Sequence, residues 1–225
     1  GDPFASGDLK KIYKQVDSWV SEQETMKDIG NNLKTRSTSQ YNKHLFKIFL
    51  KLLDESGCRQ HEVLSLTWKD LTVKETLSVR ERTINEIKVP HKAKRGFRVQ
   101  IFMGKSLLEL KELHKKYCPE CNPTDYIFRN QQTNTLVDRS TFNRYWKLIL
   151  KSVDLDYNLH TFRSHRITEL VMSGVEVELV ARNLGLSVSQ ILKTYLRFIP
   201  AGHFDQLVMK EKKGVKELRT LLAAS

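Results

Sequence analysis

The chain has 225 residues, 40% of them hydrophobic, and 38 Lys and Arg against 26 Asp and Glu give it a formal charge of +12. That length and apolar content suit one large domain or two small ones and exclude a disordered tail. The charge points to a polyanionic partner, nucleic acid above all, and no uncharged apolar run is long enough to cross a membrane.

Three cysteines, Cys58, Cys118 and Cys121, argue against a disulfide framework and fit a reducing cytoplasm. Cys118 and Cys121 form a single C-x-x-C with His114 upstream, but a zinc site needs four ligands and no second pair exists. The pair reads as loop cysteines, and neither a metal nor a cofactor is expected. No signal-peptide pattern opens the chain. Residues 1–7 read as an expression remnant or linker end.

The first helix is expected from Leu9 to Ile29, with Ile12, Val16, Trp19, Val20 and Met26 on its apolar face and Gly30 at its end. Ser37 with Gln40 three residues on is a capping-box pattern, so the next helix should open there, carry Leu45, Phe46, Phe49, Leu52 and Leu53, and stop at Gly57. Arg59 stands at a short helix start with Glu62 one turn on; taken alone it is a surface arginine paired with Glu62.

From Thr72 to Met103 the runs are β-prone, with strands over Thr83 to Pro90 and Phe97 to Met103 and a hairpin tip between them that turns at Gly96. Residues 87–108 contain six Lys or Arg and no Asp or Glu. Such a basic hairpin can straddle a phosphate backbone, which makes Lys88, Lys94, Arg95 and Arg98 candidate DNA contacts. Further helices follow over Lys105 to Lys116 and Arg139 to Ser152, the latter with Phe142, Tyr145, Trp146, Leu148 and Ile149 inward.

The last third holds His160-Thr161-Phe162-Arg163, then Leu184-Gly185-Leu186-Ser187, then Tyr195. Val177 to Leu184 and Val188 to Leu196 flank the Gly185 break as a helix-turn-helix, so a non-catalytic DNA-binding module is one reading. The module gives no reason for Arg59, Lys92 or the His160-x-x-Arg163 pair.

The ordered set of boxes resembles the catalytic domain of the tyrosine recombinases, the phage-integrase type. Gly57-Cys58-Arg59-x-x-Glu62-x-x-x-Leu66-x-Trp68-x-Asp70 resembles the segment around that family's first catalytic arginine, and His160-x-x-Arg163 its second box. Lys92 matches the position of its catalytic lysine, with Lys94 as the fallback, and Tyr195 falls where the nucleophile stands. Two positions depart: Ser164 intervenes where the family often has His, and Leu186 stands where it usually has His or Trp, so it cannot donate a hydrogen bond there.

The resemblance implies an α+β fold: a mainly helical catalytic domain over residues 8–200 with a small antiparallel sheet and the basic β-hairpin, followed by a tail helix over 201–225. It implies a site-specific recombinase, cutting and rejoining double-stranded DNA through a 3′-phosphotyrosine without metal or ATP, as a homotetramer on DNA in the cytoplasm, associated with the nucleoid. Arg59 and Arg163 would clamp the phosphate, since a guanidinium grips two oxygens at once. Tyr195 would attack phosphorus, His160 would serve as base, and Lys92 would protonate the leaving 5′-oxygen. The tail's apolar stripe, Phe204, Leu207, Val208, Val215, Leu218 and Leu222, is expected to pack on a neighbouring subunit.

Overall fold

A computed structural model describes residues 2–22, 33–75, 83–90, 97–118, 120–131, 133 and 135–195. Within these ranges the side chains of residues 33–39, 73–75, 90, 194 and 195 lie outside the description. Several expectations from sequence therefore fall outside it: the end of the first helix with Met26 and Gly30, the Ser37 cap, the hairpin tip with Lys92, Lys94 and Arg95, the side chain of Tyr195, Leu196 at the end of the last helix, and the tail over 201–225.

Helix α1 spans Asp8–Ser21 and buries Ile12, Val16 and Val20, spaced four apart on one face. Helix α2, Leu33–Ser56, is the centre of the domain: Tyr41, Leu45, Phe46, Ile48, Phe49, Leu50, Leu52 and Leu53 are all buried. A helix apolar nearly all round must be covered all round, and α2 touches α1, α3 (Gln60–Leu64), α4 (Ser106–Tyr117), α6 (Thr161–Met172) and strand β3. The helix starts four residues before Ser37, because nothing from Leu33 to Arg36 breaks it.

Strands β1 (Leu71–Glu75), β2 (Thr83–Pro90) and β3 (Phe97–Met103) form an antiparallel sheet in that order. Ile87 pairs with Gln100 and Val89 with Arg98, and the β2–β3 ladder runs out to Pro90 and Phe97 at the base of the hairpin. One row of the sheet, with Ile87, Val89, Gln100 and Phe102, is buried; the other row of β3, Phe97, Val99, Ile101 and Met103, is exposed. The outer edge of β3 is met by Asn183, whose side chain accepts from the Ile101 N–H at 2.8 Å and donates to the Ile101 carbonyl at 2.9 Å.

At the far end of β3, Glu55 of α2 caps α4, accepting from the backbone N–H groups of Lys105 and Ser106 and from the Ser106 hydroxyl. Gly104 leaves the room for it: a β-carbon there would lie 2.0 Å from the Glu55 carboxyl carbon. Helix α5 (Arg139–Ser152) buries Phe142, Trp146, Ile149 and Leu150. Leu148, expected inward, is 51% exposed; it sits two residues from Trp146, and two residues turn a helix to its opposite side.

Helices α6, α7 (Val177–Leu184) and α8 (Val188–Tyr195) close a second, smaller core of Ile167, Val180, Ala181, Leu184 and Ile191. Leu186 packs against it. Within the first seven residues, Phe4 is 6% exposed and meets Tyr157, Phe162 and His165 edge-on.

His114 is buried on α4, bonded through Nε2 to the Ile127 carbonyl at 2.9 Å and edge-on to Trp68. Its Nδ1 faces Cys121 Sγ at 3.7 Å. Among the described residues no three His, Cys, Asp or Glu are placed to hold a metal ion. Burial pushes the imidazole down to about 4. The folded state therefore takes up this proton later than the unfolded chain does, and folding weakens as pH falls from about 6.5 towards 4. Thermal melts across that window are expected to show a falling Tm. His114→Gln, which keeps a donor for Ile127 without the titration, should flatten the decline; an equal decline in the variant would assign it elsewhere.

Candidate active site

Arg59 caps the start of α3 just past the end of α2. Glu62, one turn on, accepts from the Arg59 backbone N–H at 2.8 Å and from Arg59 Nη1 at 3.0 Å. The same carboxylate takes both forks of Arg98: Nη1 to Oε1 at 2.9 Å and Nη2 to Oε2 at 3.0 Å. Burial pushes the Glu62 carboxyl up, but Arg98, the Arg59 N–H and the nearby Arg163 charge outweigh it and hold it at about 2. Glu62 is thus ionised at every working pH, while the Arg59 side chain keeps 36% exposure.

Arg163 lies in the first turn of α6 and is among the largest fully buried side chains, 2% exposed. Nη1 donates to the Gly57 carbonyl at 2.8 Å and Nη2 to the Leu184 carbonyl at 2.7 Å. Burial first, then the Arg59 charge, lowers it to about 10, so it remains a cation at neutral pH. Gly57 and Gly185 end α2 and α7 with φ of 65° and 66°, the left-handed conformation that turns a helix C-terminus and that glycine adopts freely.

His160 immediately precedes α6 and is exposed. Partial burial and the charges of Arg163 and Arg59 lower its pKa, which leaves the imidazole neutral and able to accept a proton near pH 7. Ser164 is buried beside Arg163, and His165 turns away towards Glu169 and Phe4.

His160 and Arg59 line one groove of about 1160 Å³. Its long wall is α5, which contributes Arg139, Asn143, Lys147 and Lys151. A spacing of four puts these on one helical face. Gln60 ties that wall to α3, donating to Asn143 Oδ1 and accepting from Arg139 Nε, both at 3.0 Å. The sequence reading took only the inward side of α5 and missed this row, although the four-residue spacing of 139, 143, 147 and 151 was present to be read.

The structure brings Arg59 and His160 to the groove and sets Arg163 behind it rather than on its surface. Tyr195 ends α8, which packs on α6 through Ile191. Lys88 is exposed, with its ammonium over the Phe97 ring. Arg98, expected on the DNA backbone, has a side chain only 10% exposed, with its fork spent on Glu62 and Gln100.

This architecture, mostly helical with a three-stranded antiparallel sheet, is that of a tyrosine recombinase catalytic domain. The phage integrase family model matches residues 20–199, and the chain belongs to that family. Among solved structures it is similar to the XerH site-specific recombinase bound to its difH substrate in a pre-cleavage complex, with a TM-score of 0.64 and 18% identity over 88% of this chain and 51% of that one. XerA recombinase gives a TM-score of 0.63 and 15% identity over 94% of this chain and 65% of that one. The catalytic domain of bacteriophage HP1 integrase gives 0.50 and 12% over 92% and 94%. The chain therefore spans about half the length of XerH and 65% of XerA. A comparison with the curated proteins finds no match.

Arg59 and Arg163 should differ sharply in what they do for folding. Arg163→Ala strips donors from two buried carbonyls and leaves a cavity, a loss of about 3 kcal/mol. Arg59→Ala removes a partly exposed side chain whose partner keeps Arg98, a loss under about 1 kcal/mol. Urea denaturation of both variants measures the contrast; equal losses would mean that Arg163 is not a structural tie.

Proposed function

We propose that the protein is a site-specific DNA recombinase that cuts and rejoins duplex DNA through a 3′-phosphotyrosine on Tyr195, without metal or ATP. The observation that carries this reading is the groove: Arg59 and the neutral His160 at one end, the Arg163 charge directly behind, and a cationic helix face along its wall.

The chemistry follows from these groups. Attack on a phosphodiester puts extra negative charge on the phosphorane oxygens, and fixed cations offset it most where water is excluded. Arg59 offers donors to those oxygens from the groove. Arg163 has used two of the five N–H donors of a guanidinium on carbonyls; its charge acts from behind at low dielectric. A tyrosine hydroxyl has a pKa of about 10 and needs a base, and His160 takes that proton. Tyr195 Oη bonds to phosphorus as the bond to the 5′-oxygen breaks. Lys92, or Lys94 in its place, protonates that oxygen. The phosphotyrosine keeps a phosphodiester's energy, so an incoming 5′-hydroxyl, giving its proton back to the lysine, restores the DNA bond while His160 returns its proton to the departing tyrosine oxygen. Arg139, Lys147 and Lys151 lie along the wall where the duplex backbone would run, and Lys88, Lys94 and Arg95 of the basic hairpin are proposed as further backbone contacts.

Strand exchange requires four such domains around two duplexes. The 201–225 tail, passed to a neighbour, would couple them. The helix-turn-helix module remains the weaker reading, since it leaves the groove formed by Arg59 and His160 without a task.

Incubation with a nicked suicide duplex carrying the recognition site, in EDTA, should yield a covalent adduct that peptide mapping places on Tyr195. Arg59→Ala should cut the rate by about 10²–10³ with affinity nearly unchanged. Lys147→Ala and Lys151→Ala should each weaken binding and lower the salt slope by about one. An adduct on another tyrosine, or a strict Mg²⁺ requirement, sinks the mechanism; lysine variants with unchanged salt slopes remove α5 from the interface. Deleting residues 203–225 should abolish exchange and spare cleavage, and unfolding of the truncated protein would place the tail in its own core.

A further inference from the structure

Arg98 is the side chain on which the parts of the site converge. On β3, near the base of the hairpin, it holds both oxygens of Glu62, the carboxylate that also holds the Arg59 side chain and backbone N–H. Its Nη2 donates to Gln100 Oε1 at 3.0 Å. Gln100 Nε2 in turn donates to the carbonyl of Ser56, the residue before Gly57, whose own carbonyl holds Arg163. On its other side the aliphatic stem meets the α7–α8 turn: a β-carbon at Gly185 would lie 3.0 Å from Arg98 Cδ. Gly185 follows Leu184, the second carbonyl of Arg163.

Charge makes the arrangement more than scaffolding. Arg59 paired with Glu62 alone would be neutral, a poor clamp for a phosphate. A second buried cation on the same carboxylate leaves the trio with a net positive charge facing the groove. A buried ion pair is weak evidence for stability, because desolvation offsets most of its attraction; its geometry is better read as fixing position.

We propose that Arg98 is a positioning residue for the reaction: it neutralises and orients Glu62 so that the Arg59 guanidinium meets the scissile phosphate with its charge undiminished, and it keeps the hairpin strand and the Gly185 turn in register with that guanidinium. The proposal rests on the recombinase reading. Arg98→Met removes the charge, and Arg98→Lys keeps a charge but cannot bridge two carboxylate oxygens.

The test is a double-mutant cycle with Arg59→Ala, read as single-turnover cleavage of the suicide duplex at saturating protein, alongside duplex Kd and thermal melts. Each Arg98 variant is expected to lower the cleavage rate by about 10- to 100-fold, less than the loss of a direct contact, with Kd within about twofold of wild type. On the Arg59→Ala background the same change should cost less than about threefold, because residues acting through one another are not additive. If Arg98→Met does not fold, Arg98→Lys carries the cycle. Equal loss on both backgrounds overturns the proposal and leaves Arg98 a structural residue. A loss confined to Kd, with the salt slope reduced by about one, overturns it in favour of a direct phosphate contact. Wild-type protein that forms no adduct fails the recombinase reading itself, a result separate from either.

Discussion

A charged guanidinium sits where water cannot reach it and holds two helix ends together. Arg163 bonds the carbonyl just past the end of α2 and the last carbonyl of α7. Helix C-termini leave carbonyls without partners and carry the negative end of the helix dipole, so a cation there answers both needs at once. Isolated burial of such a charge would cost several kcal/mol. The two carbonyls and the Glu62 carboxylate nearby offset that cost. Helix α6 can then lie against α2 while the small core of α6, α7 and α8 forms on its far side. The unit that carries Tyr195 is thus attached to the rest of the domain through a residue of the site itself.

The electrostatic consequence reaches beyond one residue. Arg59, Arg98 and Arg163 lie within each other's fields, with Glu62 as the carboxylate among them. Three like charges at short range repel, yet the carboxylate stays ionised down to about 2 and Arg163 stays protonated up to about 10. Over that whole range the cluster keeps a positive excess; partial burial, then the charges of Arg163 and Arg59, lower the pKa of His160 beside it.

Much of this was legible in the sequence. The strands Thr83–Pro90 and Phe97–Met103 and the helices Arg139–Ser152 and Val177–Leu184 have the bounds expected of them, because Pro, Gly and capping residues punctuate them. Where no such residue stood, as before Ser37, the boundary was misplaced. Arg98 was legible as a basic residue on a basic hairpin but not as a buried one, since its partner Glu62 lies 36 residues away in the chain. Arg163 was read as a phosphate ligand, and its bonds to two helix ends were not legible, since its acceptors are backbone carbonyls, which carry no sequence signature. The same holds for Phe4, whose burial depends on aromatic partners from far along the chain.

Asn183 gives the sheet a boundary. Its amide occupies both hydrogen-bonding groups of Ile101 in the middle of the outermost strand, the groups an incoming strand would need for its own ladder. A fourth strand on that side would have to displace the Asn183 amide from Ile101. Helix α7, which carries Asn183, is joined through Gly185 to the helix that ends in Tyr195. The cover on this sheet edge belongs to the same helix pair that ends in Tyr195.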